Sequence, residues 1–416
     1  MQNNKSWLII FSLIFAGEMI FSLPFHITRF FRPTLLETFS LSNADLGDTF
    51  AFYGITAMLC YFPGGIIADY FSARRLLTFS LIATAIGGVF FAKIPQGLSL
   101  TLLYGYWGIT TIFLFWAGMI KATREWGGLN NQGRAFGLLD GGRGLVAALM
   151  SSIAVVLFSK FVTPSALTSS ENNSVEGLQS VIYFYTLMTL TAAILVWKFI
   201  PEQQVKNNST VRPWVGVQQS ALSSKAWLQA IIIVCAYCAY KGADNYGLYA
   251  VQVLSMSQLE SAEFTSIAAY LRPVGAIGAG LIADRLSAGK VIQWCFILLA
   301  TLYTILSFTW PPSVLFNLAM FNFIVSFLAV FALRGVYFAL VEESKINIKI
   351  TGTAVGFISL IGYTPDIFFA SISGRILDAD PGVKGFENYF VLMMGIAVVG
   401  LIATLLLNKK NRSLSK

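Results

Sequence analysis

Residues 42–75, SNADLGDTFAFYGITAMLCYFPGGIIADYFSARR, align with residues 257–290, SQLESAEFTSIAAYLRPVGAIGAGLIADRLSAGK, at an offset of about 215 positions. Ser42 meets Ser257, Asp45 meets Glu260 and Asp48 meets Glu263. Gly65-Ile66-Ile67-Ala68-Asp69 meets Gly280-Leu281-Ile282-Ala283-Asp284. The match runs through a whole apolar segment and the polar loop after it, which chance explains poorly. The chain therefore reads as two halves built on one plan.

The solvent of those halves follows from composition. Of 416 residues, 56% are hydrophobic, 14% aromatic and 12% charged, with a mean hydropathy of +0.70. Soluble domains carry about 25% charged residues; half that value leaves too little polar surface to solvate a globule, so lipid must serve as part of the solvent. The net charge of +8 does not mark a nucleic-acid binder. Its basic residues flank apolar runs at every second boundary, from Arg74-Arg75 through Lys121, Arg124 and Arg134 to Lys409-Lys410-Asn411-Arg412, which is the positive-inside pattern.

A membrane helix needs about 20 mostly apolar residues. Runs of that kind centre near residues 18, 57, 85, 111, 148, 188, 239, 272, 300, 326, 362 and 398. The expected fold is all-α, with twelve transmembrane helices in two six-helix pseudo-symmetric halves. The first half covers 1–200, a linker covers 201–226 (PEQQVKNNSTVRPWVGVQQSALSSKA), and the second half covers 227–416. An even span count puts both termini on one side, and the basic residues make that side the cytoplasm. The outer loop 163–177 has no Lys or Arg, in agreement. The first apolar run is too long for a cleavable signal and reads as a span. Short loops suit a bacterial inner membrane, and one copy of the chain is enough for this architecture.

The stretch Gly-x-x-Ala-Asp followed by a basic-rich loop, once after the second span and again after the eighth, resembles the signature loop of the major facilitator superfamily. The resemblance implies secondary transport, with a cleft where the repeated halves meet near the bilayer midplane. It also implies that spans 1, 4, 7 and 10 line that cleft. The loop residues Asp69, Arg74, Arg75, Asp284, Arg285 and Lys290 are then expected to gate rather than to bind solute. Tyr70 stands where the pattern has a basic residue, which predicts a weaker first latch.

Ionisable groups within a span cost about 2.5 kcal/mol or more and face a cavity or a partner. Those inside the apolar runs are Glu18, Arg29, Asp140, Arg143, Lys241, Asp244, Arg272, Arg334, Asp366 and Arg375. Arg29, Lys241 and Arg334 are the expected solute-binding cations, with Tyr240 and Tyr246 flanking Lys241. Lys241 has a competing reading as an ion pair with Asp244 one turn on, Arg334 as a pair with Glu342 or Glu343 two turns on towards the cytoplasmic end, and Arg29 as a side chain reaching the interface, where Arg32 is expected. Glu18, Asp244, Asp366 and Asp140 are the candidates for proton coupling, and Asp366 is alternatively the partner of a cleft cation. Asp140 and Arg143 can pair at i, i+3, within a close-packing face of Gly137, Gly141, Gly142 and Gly144.

Cations on both halves resemble the organophosphate/phosphate antiporter branch, which grips a phosphate between basic residues of spans 1 and 7. A lysine on span 7 offers a point charge without a bidentate fork, so carboxylates, sulfonates and zwitterions stay open. The expected function is secondary active transport of a small organic anion by alternating access. The alternatives are proton symport of a zwitterion or neutral metabolite, and a transporter-like receptor. Partners are then the solute, the bilayer and a coupling ion, proton or phosphate. No cofactor or metal site is expected: Cys235 and Cys238 form a CxxC without companions, and His26 is the sole histidine. No nucleophile and base suggest an enzyme.

Overall fold

The computed structural model describes residues 2–128, 132–162, 171–202, 221–343 and 351–412. Most of the expected linker and the first part of the 163–177 loop lie outside the described residues. The chain divides into two compact units, Met1–Asn208 with Ser255–Tyr270, and Ser209–Leu254 with Leu271–Lys416.

The helices of the N-terminal stretch are α1 (Gln2–Met19), α2 (Ile27–Phe30), α3 (Arg32–Thr38), α4 (Asn43–Tyr70), α5 (Ala73–Phe91), α6 (Leu98–Gly108), α7 (Ala117–Gly127), α8 (Gln132–Ser159) and α9 (Glu171–Phe199). There follow α10 (Ser224–Gly242), α11 (Tyr246–Gln252), α12 (Gln258–Ala268), α13 (Leu271–Leu286), α14 (Ala288–Leu306), α15 (Pro312–Val336), α16 (Ala339–Glu343), α17 (Thr351–Gly362), α18 (Pro365–Ala379) and α19 (Val383–Arg412). Each of the twelve expected span centres falls in one of these helices or in the π-helical turn Ile109–Trp116. Among the described residues ten spans are long and apolar enough to cross a membrane. An eleventh is the pair Trp7–Met19 and Ser22–Phe30, bent by 44°, and α4, with 28 residues, stands at the expected second span. Leu59, Phe79, Leu281, Trp294 and Phe321 point outward and exposed. Water would not tolerate so much apolar surface, and hydrocarbon does.

The sequence repeat is also a repeat of helix starts. Ser42 Oγ accepts from Asp45 N at 3.1 Å while the Asp45 carboxylate accepts from Ser42 N at 3.0 Å. Ser257 and Glu260 make the same reciprocal box at 3.2 and 2.7 Å. Each box satisfies two of the orphan N–H groups that open a helix. At the far end of the repeat, Ser72 caps Arg75 N and Ser287 caps Lys290 N.

One of those caps is strained. Ser287 has φ 133°, a region suited to glycine, whereas its counterpart Ser72 sits at φ −66°. A side chain there costs about 1–3 kcal/mol, while glycine as an N-cap loses only a few tenths relative to serine. Ser287→Gly is therefore expected to stabilise the protein by about 1 kcal/mol, read as a higher melting temperature in detergent. A lower one would sink the strain argument.

Several spans are discontinuous. Span 1 passes from α1 through a π-helical turn, Ser22–His26, to α2; Pro24 within that turn has no N–H to give the helical ladder. Span 4 holds the turn Ile109–Trp116, where Thr111 Oγ1 donates to Trp107 O at 2.6 Å and so competes with the backbone for that carbonyl. Span 7 breaks into a 3-10 turn, Ala243–Asn245. Span 11 breaks between α17 and α18, before Pro365. In the first unit α1 packs among α7, α8 and α9, around Leu13, Ile20, Leu77, Phe115 and Val196. In the second, α13 packs on α15, and α19 on α10 and α14.

Candidate functional site

The second unit gathers chemistry around the middle of span 7. Tyr237 and Lys241 stand one turn apart on α10, so both side chains project from one face. Asp366 lies in the first turn of α18, where the break before Pro365 exposes a helix N-terminus that favours a carboxylate. Lys241 Nζ lies 3.0 Å from Asp366 Oδ1, with side chains 8% and 18% exposed. The Tyr237 hydroxyl donates to both oxygens of the same carboxylate, at 3.1 and 3.0 Å.

Arg334 of α15 lays its guanidinium 3.9 Å above the Tyr240 ring, a cation–π geometry. Stacking fixes the plane of the guanidinium fork. Tyr237 and Tyr240 stack at 5.8 Å, Tyr363 meets Tyr237 edge-on at 5.0 Å, and the Tyr337 and Tyr363 hydroxyls are 3.3 Å apart. This is an aromatic wall carrying two cations and one carboxylate. Asp244 follows in the Ala243–Asn245 turn.

Lys241 thus meets Asp366, the acid that sequence offers as an alternative partner for a cleft cation, beyond the Asp244 one turn on. Tyr246 is placed differently from its neighbours: it is 1% exposed, stacked on Phe323 at 4.2 Å and bonded to Ser326 at 3.0 Å. That geometry packs the second unit and leaves little surface for a solute.

In the first unit Arg29 is half-buried on α2. Arg32, expected at the interface, is instead 4% exposed and donates to Asn43 Oδ1 at 3.1 Å. Glu18 is buried between His26 and Arg143. Asp140 is half-buried one turn before Arg143 on α8. Of the expected glycine face, Gly142 packs on Ile14, whereas Gly137 and Gly141 look onto open space.

The signature loops find partners that sequence reading did not supply. Glu202 bridges Arg74 at 3.5 Å and Arg75 at 2.5 Å, and Arg74 also sits 4.3 Å over the Trp197 ring. Lys121 donates to Ala68 O at 2.7 Å, tying down the C-terminal carbonyls of α4. At the second loop the Glu343 carboxylate accepts from the N–H groups of Ala288 and Gly289, the latter at 3.1 Å. Asp284, Arg285 and Lys290 are exposed. The Asp69 side chain lies outside the described residues. Only proximity to apolar runs marks Glu202 and Lys121 in the sequence, and Glu343, offered there as a partner of Arg334, accepts from the α14 N-terminus.

Comparison with known proteins agrees with this architecture. A family model described as Major Facilitator Superfamily matches residues 8–370. The inner membrane protein YihN of Escherichia coli is 26% identical over 419 residues, covering 99% of this chain and 97% of YihN. A probable nitrate/nitrite antiporter of Thermus thermophilus, NarK1, is 24% identical over 314 residues, with 71% and 65% of the two chains covered. The crystal structure of the nucleoside transporter NupG superposes with a TM-score of 0.71 at 15% identity, over 98% of this chain and 99% of NupG.

Proposed function

The chain belongs to the Major Facilitator Superfamily, a family of multi-pass membrane transporters, and we propose that its solute is a small organic anion moved by alternating access. The observation that carries this reading is the stacked Arg334 beside the Lys241–Asp366 pair: two cations against one carboxylate on an aromatic wall. A planar or tetrahedral oxyanion takes the guanidinium edge through paired, charge-assisted hydrogen bonds and the ammonium through a third. A relative whose name specifies nitrate and nitrite supports an anion. A relative named as an inner membrane protein supports that location, and the basic loops support cytoplasmic termini. The same loops, with Arg74, Arg75 and Glu202 on one side and Lys290 and Glu343 on the other, act as latches of one conformational state.

A second reading has one observation in its favour. The Lys241–Asp366 pair is neutral as it stands, which suits a zwitterion that replaces each half of the pair with its own opposite charge.

Thermal stabilisation of the purified protein separates the two. A ligand that binds the folded state alone raises stability by about 2.7 kcal/mol at a hundred times its Kd. Phosphorylated, carboxylated, sulfonated, zwitterionic and neutral metabolites are tested on wild type and Arg334→Ala. Anions are expected to raise the melting temperature of the wild type and to lose that effect at least tenfold in the variant. Stabilisation only by zwitterionic or neutral compounds, retained in Arg334→Ala, would replace the anion reading with the second one.

A further inference from the structure

Span 1 carries a second buried ionic cluster that the anion reading does not use. Glu18 stands one residue from the end of α1 and is 3% exposed; His26 closes the π-helical turn and is 2% exposed. The His26 Nε2 atom lies 3.1 Å from Glu18 Oε1, and Arg143 Nε donates to Glu18 Oε2 at 3.1 Å. Gly17 makes room for this arrangement. A Cβ there would meet Met119 Sδ at 2.9 Å and Arg143 Cδ at 3.3 Å, so glycine lets the arginine stem lie close against α1.

The repeat gives this cluster a twin. At the offset of about 215 residues that aligns Ser42 with Ser257, His26 falls on Lys241. Each of these two residues holds a carboxylate in a cluster that ties its span to another: span 1 to span 5 through Arg143, span 7 to span 11 through Asp366. The twins differ in chemistry. An ammonium holds its charge at physiological pH, whereas imidazole is the side chain whose ordinary range of charge change is about pH 5–8. His26 is also the only histidine in the chain.

We infer that Glu18, His26 and Arg143 form a proton-binding site, separate from the cluster on span 7. Its use as the coupling site of transport rests on the transporter reading above; its affinity for a proton does not. With neutral imidazole, Nε2–H donates to Glu18 and the carboxylate balances Arg143. One added proton raises the cluster charge by one, on the imidazole or on Glu18, and no other bond forms or breaks. On His26 it leaves all three groups joined. On Glu18 it removes the anion that holds the other two.

The titratable and charged groups around the pair come from several helices. Arg143 approaches from α8, with Asp140 one turn before it, and the Tyr185 ring of α9 stands edge-on to the imidazole at 5.6 Å. Met119 comes from α7, and Arg29 follows His26 by one turn on α2. The cluster bridges the 44° bend, with Glu18 before it and His26 after it. A change of charge therefore acts on a strut across the break in span 1.

A single histidine makes the test direct. The full-length protein is labelled with 15N-histidine, placed in lipid nanodiscs and followed by NMR from pH 8 to pH 5 with no solute added. The expected wild-type result is one imidazole, in the Nε2–H tautomer at pH 8, converting to imidazolium as pH falls. In Glu18→Gln the imidazolium signal at pH 5 is expected to drop at least tenfold. An imidazole in the wild type that does not change across this range overturns the proposal, whether or not any variant folds. A Glu18→Gln protein that titrates like the wild type overturns the pairing. Failure of the solute panel leaves this result untouched, so the two readings fail separately.

Discussion

Lys241→Ala is expected to remove the response to solute and much of the stability, and Asp366→Asn in the same chain to restore the second but not the first. The two side chains meet at 3.0 Å and are 8% and 18% exposed. Removing one member of a buried ion pair costs about 3–5 kcal/mol, because the other charge is left uncompensated. Asp366 keeps the two bonds from Tyr237 and its place at the start of α18, which puts the loss at the lower end of that range. Neutralising Asp366 then removes the stranded charge, and melting should return toward the wild type. The non-additivity of the two changes is the signature of a direct pair. Transport should stay at least a hundredfold below wild type in the double variant, since the ammonium that would grip the solute is gone. Melting curves and radiolabelled uptake into proteoliposomes, with whichever panel anion stabilises the wild type, provide the two readouts. A double variant that regains transport would reduce Lys241 to a charge balancer for Asp366 and remove it from the solute site.

That pair also shows where sequence reading stops. Span positions are legible because a run of about 20 apolar residues is a local property, and the helix starts at Ser42 and Ser257 are legible because a capping box spans four residues. The partner of Lys241 is not local. Within reach of its own helix the sequence offers Asp244, and Asp366 is one acid among several on later spans until the packing of α10 against α18 is known. Sequence shows Glu18 as an acid in a membrane, but its partners come from eight residues on and from α8. Helical spacing alone offers that arginine Asp140, its i, i+3 neighbour. Tyr246 was legible as an aromatic beside Lys241, while its burial against Phe323 depends on a helix some 75 residues away. The breaks in spans 1, 4 and 7 leave weak traces, Pro24, Thr111 and Gly242, that become meaningful only once the backbone hydrogen bonds are seen.

Glycines give the sharpest case, because sequence cannot tell a contact glycine from an idle one, and the two kinds respond to alanine with opposite sign. Gly108 ends α6, and a Cβ there would meet Thr56 Oγ1 at 2.1 Å, Tyr53 O at 2.7 Å and the Ala57 nitrogen at 3.1 Å. Two of these are backbone atoms of α4, which cannot rotate away as a side chain can. In a membrane, close approach through small residues is a principal source of helix association. Overpacking of this kind costs about 1–3 kcal/mol, so Gly108→Ala should lower the melting temperature clearly. Gly108→Leu, which must drive α6 off α4, should leave no folded monomer in detergent chromatography. Gly141 on α8 meets nothing within 4 Å. Alanine there gains helix propensity, worth up to about 1 kcal/mol, and should leave melting unchanged or raise it. Equal losses for Gly108→Ala and Gly141→Ala would mean that the α4–α6 approach is not the constraint on position 108, and that the expected glycine face on α8 packs after all.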